Sequence, residues 1–292
     1  QSKMNIKRTT FKFFLNNLPS NKFFDKFLSF VQFIFIHKRL PSKKKIFNDM
    51  LYNIKTSKEI ENPLRIFVSD KEFCKIFLQK VIQKKYIVPN ITIAKNFSEI
   101  NNLTLNSNCI IKPTHLAGKW IIKKENNQLN IIEKQNIKSW FFQNQYYANR
   151  ERNYLNLKPK IIVEPLLFDN ENIIDYKFFC YNGRAKAIQV DFDRAIDHSR
   201  SLYDIKWNKI DISIDFKMNE KKLEKPKNLS EMINLAEEIG KYFNFVRIDM
   251  YTNNQAIFIG EITNIHGGAA EKFLPNGYLS ELQFSKILFN EK

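Results

Sequence analysis

The sequence predicts an α+β fold of short helices and antiparallel strand pairs, and three of its features point that way. Two runs near the C-terminus, Val246 to Tyr251 and Ile257 to Ile262, alternate with the period of a half-buried strand. Asn182-Gly183 separates two further apolar runs, and that dipeptide favours the tight turn of a hairpin. Ser69-Asp70-Lys71-Glu72 reads as an N-cap opening a helix.

Taken in order, residues 1–60 are basic and rich in phenylalanine. Phe11, Phe13, Phe14, Phe23, Phe24, Phe27, Phe30, Phe33 and Phe35 fall within 25 positions. Asn16 to Ser20 breaks the stretch, and Ser20 is placed to cap a helix from about Asn21 to His37. The run from Phe27 to Ile36 is largely apolar but only ten residues long, too short to span a bilayer. No small-residue cleavage site follows it, so it does not read as a signal peptide. Two dispositions remain open for this helix. It docks on the main body, or it lies in a membrane interface with phenylalanines in lipid and Lys22, Lys26, Lys38 and Arg39 at the headgroups. Lys43-Lys44-Lys45 opens a second short helix, to about Lys55. The expectation is a helical extension over 1–60 and a main body over 61–292.

In the body, a helix runs from the Ser69-Asp70 cap to about Lys85, with Phe73, Ile76, Phe77 and Val81 apolar. Ile91-Thr92-Ile93 is extended. Cys109 to Lys112 and Trp120 to Lys123 are strand-like runs on either side of the loop Thr114 to Lys119. Lys112 ends a buried strand. A buried ammonium is costly unless it meets an anion, and a phosphate would serve; a surface lysine at the end of its strand is the alternative. A further strand covers Lys160 to Leu167. The Asn182-Gly183 hairpin joins Asp175–Tyr181 to Ala185–Val190, with Asp175 and Lys177 on one face.

The last hairpin carries the most chemistry. A three-residue loop, Asn253-Asn254-Gln255, pairs Asp249 with Ile259 and Arg247 with Glu261. That register gathers Arg247, Asp249 and Glu261 on one face and Val246, Ile248, Met250, Phe258 and Ile262 on the other. A two-residue loop would split Glu261 from Asp249. Two carboxylates beside an arginine suit magnesium; a cross-strand salt bridge on a solvated sheet is the alternative.

Composition narrows the function. Lys and Arg number 47 against 30 acids, a net charge of +17, which favours anionic partners. Part of this is a bias toward Lys, Asn, Ile and Phe. No arginine-rich tract or zinc-finger spacing indicates nucleic acid. Cys74, Cys109 and Cys180 stand far apart, so neither disulfides nor a cysteine zinc site is expected, and a reducing cytoplasm fits. Among seven glycines there is no Walker loop and no GxGxxG fingerprint. No Ser-His-Asp signature appears either.

These pieces, in this order, resemble the ATP-grasp superfamily, which clasps ATP between two α+β lobes. Asp175-Tyr176-Lys177 with Asn182-Gly183, then Arg247-x-Asp249, then Gly260-Glu261-x-Thr263, resemble its ligase branch. A closer resemblance is to the TupA-like, teichuronopeptide-biosynthesis type. It is carried by Lys160 to Glu164, Asp175 to Gly183, Ile188 to Asp191 with Asp193-Arg194, His198-x-Arg200-x-Leu202-Tyr203-Asp204-x-x-Trp207, and Phe245 to Tyr251. It covers roughly residues 60–275.

The resemblance implies ATP and Mg2+ as cofactors and assigns roles. Lys112 and Lys177 would contact phosphates, with His115 and Lys119 in the loop between strands and Asp175 beside Lys177. Glu164, Pro165, Leu166 and Leu167 would form the hinge that reads adenine. Asp249 and Glu261 would hold magnesium, with Thr263 or Asn264 beside them. Arg247, Lys177 and Asp249 would be catalytic, Arg247 facing the carboxyl group being activated. Three subdomains follow: 61–108, 109–168 as the small ATP lobe, and 169–292 as the large one. Two departures stand out. The family's phosphate loop is glycine-rich, whereas Thr114-His115-Leu116-Ala117-Gly118-Lys119 has one glycine. The superfamily's Asn two residues after the magnesium Glu is Thr263, with Asn264 next.

The implied function is an ATP-dependent carboxylate–amine ligase of surface-polysaccharide assembly, in the cytoplasm or at the inner face of the membrane. Its partners would be ATP, an acidic sugar or a lipid- or nucleotide-linked glycan, an amino acid or amine, and an anionic membrane surface, with no nucleic acid. The rival enzyme is a glycosyl- or phosphoryl-transferase of the same pathway, for which Asp191-Phe192-Asp193 spells a DxD. The rival non-enzyme is a membrane-associated scaffold without ATP turnover.

Overall fold

The alternating runs assemble into a six-stranded antiparallel sheet around which the chain is organised. In a computed structural model, described for residues 18–101, 103–169, 173–192, 197–221 and 223–290, its strands are β5 (Asp175–Tyr181), β6 (Arg184–Phe192), β7 (Ser199–Asp204), β8 (Lys209–Ile210), β10 (Phe245–Thr252) and β11 (Ile257–Thr263). Their order is β11-β10-β5-β6-β7-β8. A smaller four-stranded sheet has the order β1-β4-β2-β3, from β1 (Thr92–Ala94), β2 (Cys109–Pro113), β3 (Ile121–Lys123) and β4 (Ile161–Pro165). A two-stranded patch pairs β9 (Ser213–Ile214) with β12 (Phe273–Leu274). Phe11, Phe13, Phe14, Asn16, Asn17, Asp193 and Arg194 lie outside the described residues.

Period-2 alternation decides what covers each face of the large sheet. One face presents Tyr176, Phe178, Ile188, Val190, Val246, Ile248, Met250, Ile259 and Ile262. Helices α4 (Lys71–Val81) and α8 (Leu229–Gly240) bury it. The opposite face is apolar only at one end, where Phe179, Ala187, Leu202 and Phe245 meet α2 (Phe47–Thr56) and α9 (Tyr278–Leu288). Phe47 is central there: its ring lies 5.0–5.9 Å, edge-on, from those of Phe179, Phe245, Phe273 and Phe284. The segment from Phe47 is thus part of this core rather than an appendage to it. The small sheet buries Cys109, Ile111, Ile161 and Val163 under α5 (Phe97–Asn101) and α6 (Ile131–Trp140).

Helix boundaries depart from the sequence reading in three places. Helix α1 is Lys22–His37, and its cap is Asn21 rather than Ser20: the Asn21 side chain accepts from Phe24 N. Helix α2 starts at Phe47; residues 43–45 bend ahead of it, and Ser42 N donates to Asp49 Oδ1. Helix α4 is capped by Asp70, as expected, but stops at Val81. Ile82 turns extended and drops into the core, and 84–86 form a separate 3-10 turn. Helix α3 (Pro63–Ser69) precedes α4, and the one-turn α7 (Tyr146–Asn149) precedes β4.

The last hairpin corrects the sequence register. Thr252 pairs with Ile257, so the loop has four residues, 253–256, not three. A bulge at Gly260 then restores the alignment, setting Asp249 against Glu261 and Arg247 against Thr263. Ile259, not Phe258, joins the apolar face. Phe258 shares the Asp249 face and approaches Phe168, with ring centroids 5.8 Å apart. Gly260 suits the bulge because a Cβ there would sit 2.5 Å from the Tyr251 ring.

Candidate active site

The second face of the large sheet ends in charge. Strand alternation places Asp175 and Lys177 of β5, Gln189 and Asp191 of β6, Arg200 of β7, Arg247 and Asp249 of β10, and Glu261 and Thr263 of β11 on it. Lys177, Asp249 and Glu261 are direct cross-strand neighbours, forming one row across three strands.

Lys177 is buried among acids. Its Nζ lies 3.2 Å from Asp249 Oδ2 and 3.6 Å from Asp191 Oδ2, and closer still to Asp175 Oδ2. Arg247 grips Asp249 with both arms, Nε to Oδ1 and Nη2 to Oδ2, each at 2.7 Å. Nη2 also donates to Thr263 Oγ1 at 3.1 Å. Burial alone would raise the Asp249 carboxyl, but Arg247 and Lys177 outweigh it and hold it at about 2. Burial opposes the Arg247 cation as well, yet Asp249 raises it above the ordinary value. Both groups are therefore charged across any physiological pH.

Behind Arg247 stands a relay that the sequence did not disclose. Arg247 Nη1 is 2.5 Å from His266 Nδ1, which must accept, so the His266 proton sits on Nε2, 2.8 Å from Glu271 Oε2. Arg200 closes the chain, donating to Glu271 at 3.1 Å and to Asp191 at 2.6 Å. Burial raises the Glu271 carboxyl, but the His266 N–H and the Arg200 guanidinium beside it hold it below the usual carboxylate range. The legible signal was only a histidine soon after the acidic strand.

The row fits magnesium. Glu261 is half-buried and makes no hydrogen bond or ion pair with another described residue, so both its oxygens are available. Asp249 keeps lone pairs beyond those that Arg247 and Lys177 use, since a carboxylate has about four. Carboxylate oxygen is the donor magnesium prefers, with phosphate oxygens completing the shell. Among the described residues no three His, Cys, Asp or Glu side chains form a metal set by themselves. Thr263 shares this face. Asn264 does not: it is buried, accepting from Arg65 Nη1 and donating to Arg65 O and Ser69 Oγ.

The small sheet carries the other residues that the sequence singled out. Lys112 and Glu164 share the face turned away from α5 and α6, beside Ile110, Ile122 and Ile162. Glu164 is buried between two lysines, Lys112 at 2.7 Å and Lys75 of α4 at 2.5 Å. Lys75 escaped the sequence reading, although a lysine next to Cys74 in the buried stripe of α4 was a visible oddity. After Glu164, Pro165, Leu166 and Leu167 are half-buried, and Leu166 N donates to Asn108 O.

Burial alone would raise Glu164, but Lys112 and Lys75 overrule it and set its pKa at about 2, against an ordinary 4.5. A depressed folded pKa adds stability above the unfolded value, and that gain goes as pH falls through the folded one. The contribution is whole above about pH 5 and gone by about pH 2, roughly 3 kcal/mol in size. Unfolding free energy should fall more steeply over this window in the native chain than in Glu164→Gln. Parallel curves would show that Glu164 is not linked to folding.

The loop Thr114 to Lys119 is tied down rather than open. Thr114 Oγ1 donates to Asp70 Oδ2, Lys71 Nζ donates to Leu116 O, and Ala117 N to Gln145 Oε1. His115 is buried, its Nε2 3.0 Å from Trp140 O, so it serves the small lobe's interior. Lys119 stays half-exposed at the loop's end, after Gly118 at φ +68°.

Residues 44–283 match the TupA-like ATP-grasp family. Among solved structures, the chain is similar to a D-alanine–D-alanine ligase from Bacillus anthracis complexed with ATP. That pair shares 14% identity over 69% of this chain and 57% of that one, with a TM-score of 0.42. It is also similar to an L-amino acid ligase from Bacillus licheniformis, at 9% identity over 88% and 60%, with a TM-score of 0.46. The chain thus spans under two thirds of the length of either ligase. No curated protein matches it. ATP-grasp ligases use ATP and Mg2+. The family match takes in both sheets and the whole row from Lys177 to Glu261, and the chain belongs to the TupA-like ATP-grasp family.

Proposed function

We propose that the chain joins an amino acid or amine to a uronic acid or related sugar carboxylate during surface-polysaccharide assembly. The observation that carries this reading is the row Lys177–Asp249–Glu261, with Arg247 fixed beside it. The γ-phosphoryl group passes to a carboxylate oxygen and ADP leaves. The amine then attacks the acyl carbon and expels phosphate, leaving an amide. Bound magnesium would neutralise phosphate charge; Asp249 and Glu261 would hold it, with Thr263, which shares their face, as the candidate neighbour. Lys112 and Lys177 act on the phosphates as point charges. The hinge Glu164, Pro165, Leu166 and Leu167 would read adenine through the backbone groups left to it, Leu166 N already donating to Asn108 O. Arg247, kept rigid by Asp249 and His266, faces charge developing on the activated carboxyl. Closure of the 109–168 lobe over the 169–292 lobe keeps water from the acyl phosphate.

A net charge of +17 suits an acidic glycan, and the enzyme would work in the cytoplasm, at the inner face of the membrane. In the transferase alternative the DxD would begin at Asp191, which accepts from Arg200 Nε at 2.6 Å. Calorimetry should show ATP binding that tightens with Mg2+, and ADP release should require both a uronic acid and an amine. Absence of ATP binding with and without Mg2+ would sink the ligase and leave the scaffold.

A further inference from the structure

Helix α1 is apolar on two opposite sides. Its inward side, with Asp25, Leu28, Ser29 and Phe33, is buried against the protein. A helix docked on a globular body ordinarily turns polar residues to solvent. The outward side of α1 instead carries Phe23, 73% exposed, Phe27, 51% exposed, and Phe30, spaced i, i+4, i+7 as a single stripe. Lys26 and Lys22, the latter paired with Glu61 at 2.6 Å but 60% exposed, border the stripe in sequence. At the other end Lys38 lies 4.5 Å over the exposed ring of Phe35.

Phenylalanines framed by lysines are the chemistry of an anionic bilayer surface. The rings fit the acyl boundary, and ammonium groups on flexible stems reach lipid phosphates. The chain's net charge has the matching sign. No helix among the described residues is long and apolar enough to cross a membrane, so a surface-lying helix is the form this chemistry can take. Helix α1 is also fixed in place. Asp25 pairs with Arg150 and Arg152 near its start, and His37 Nε2 lies 3.0 Å from Ala269 O at its end.

We propose that the Phe23–Phe27–Phe30 stripe of α1 docks on a bilayer containing anionic lipid. This deepens the peripheral placement proposed above and does not depend on the ligase chemistry, because lipid binding is read without substrate.

The full-length protein is spun with phosphatidylcholine vesicles, with and without phosphatidylglycerol. The native chain should sediment with the anionic vesicles and release them as salt rises. Joint replacement Phe23→Ser, Phe27→Ser and Phe30→Ser should weaken that binding at least about tenfold while ATP binding stays unchanged. Joint replacement Lys22→Gln, Lys26→Gln and Lys38→Gln should weaken it and flatten its salt dependence. Because Cys74, Cys109 and Cys180 are all buried, Phe27→Cys can be labelled selectively with an environment-sensitive dye. Its emission should shift blue when anionic vesicles are added. Failure of the native chain to sediment at low salt, or undiminished sedimentation of the serine variant, would overturn the proposal. So would a dye already shielded without vesicles, since the stripe would then be covered by protein. A native dimer that the serine replacements split would assign the stripe to a second copy instead.

Discussion

Glu261→Gln is expected to cut substrate-dependent ADP release by on the order of a hundredfold or more, with thermal stability unchanged. The Glu261 side chain has no hydrogen bond or ion pair with another described residue, so an isosteric amide there removes the charge proposed to hold the metal and only a through-space attraction to Arg247 besides. Asp249→Asn should be at least as damaging to the rate, and here the structure separates the pair. Asp249 neutralises two buried cations, Arg247 and Lys177. Its amide leaves them facing each other with one acceptor fewer, and a broken buried pair costs about 3–5 kcal/mol. Asp249→Asn should therefore lose stability as well as turnover. Rates and unfolding midpoints measured for both variants settle the matter. Near-normal ADP release from Glu261→Gln would remove that carboxylate from the reaction. Equal loss of stability in both would mean Glu261 is a structural acid after all.

Much of this row was legible because strand alternation is a local code. Reading Arg247, Asp249 and Glu261 onto one face needed only the loop length, and two local features offset each other there. The loop has one residue more than the sequence reading gave it, and the Gly260 bulge inserts one in the return strand. The face assignment of Glu261 survived, whereas that of Phe258, between loop and bulge, was inverted. Periodicity does not mark the bulge; it falls at a glycine, where a Cβ would sit 2.5 Å from the Tyr251 ring. What stayed illegible was long-range pairing. Lys75 with Glu164, Arg200 with Glu271, and Phe47 inside the large-sheet core join residues tens to hundreds of positions apart, and no periodicity marks them. Even Asn264, beside the acidic strand in sequence, turns out to be committed to Arg65 and Ser69.

Asp25→Asn should be the most damaging change in α1, lowering stability by about 3–5 kcal/mol. Asp25 is buried and accepts from Arg150 Nη1 at 3.3 Å, from Arg152 Nη1 at 2.6 Å, and from the Tyr146 hydroxyl. Arg150 is buried as well and donates to the carbonyls of Leu18 and Pro19. This cluster joins the start of α1 to the segment that leads into β4 of the small sheet. The far end of α1 is joined to the large-sheet side: His37 meets Ala269, and Arg39 bridges Asp49 and Glu281. With the Asp25 carboxylate gone, two arginines remain with too little negative charge, one of them buried. At roughly 2–4 °C per kcal/mol for a chain near this size, the unfolding midpoint should fall by on the order of 10 °C. Amide exchange should rise first in α1 and around residues 146–152. Lys22→Ala is the matched control. It removes a 2.6 Å pair with Glu61, but Lys22 is 60% exposed, and such a surface pair contributes about 1 kcal/mol at most. A native-like midpoint for Asp25→Asn would mean that α1 is held by its buried Leu28 and Phe33 alone. A large fall, with exchange confined to α1 and 146–152, would make Asp25 the joint that fixes this helix across both halves of the molecule.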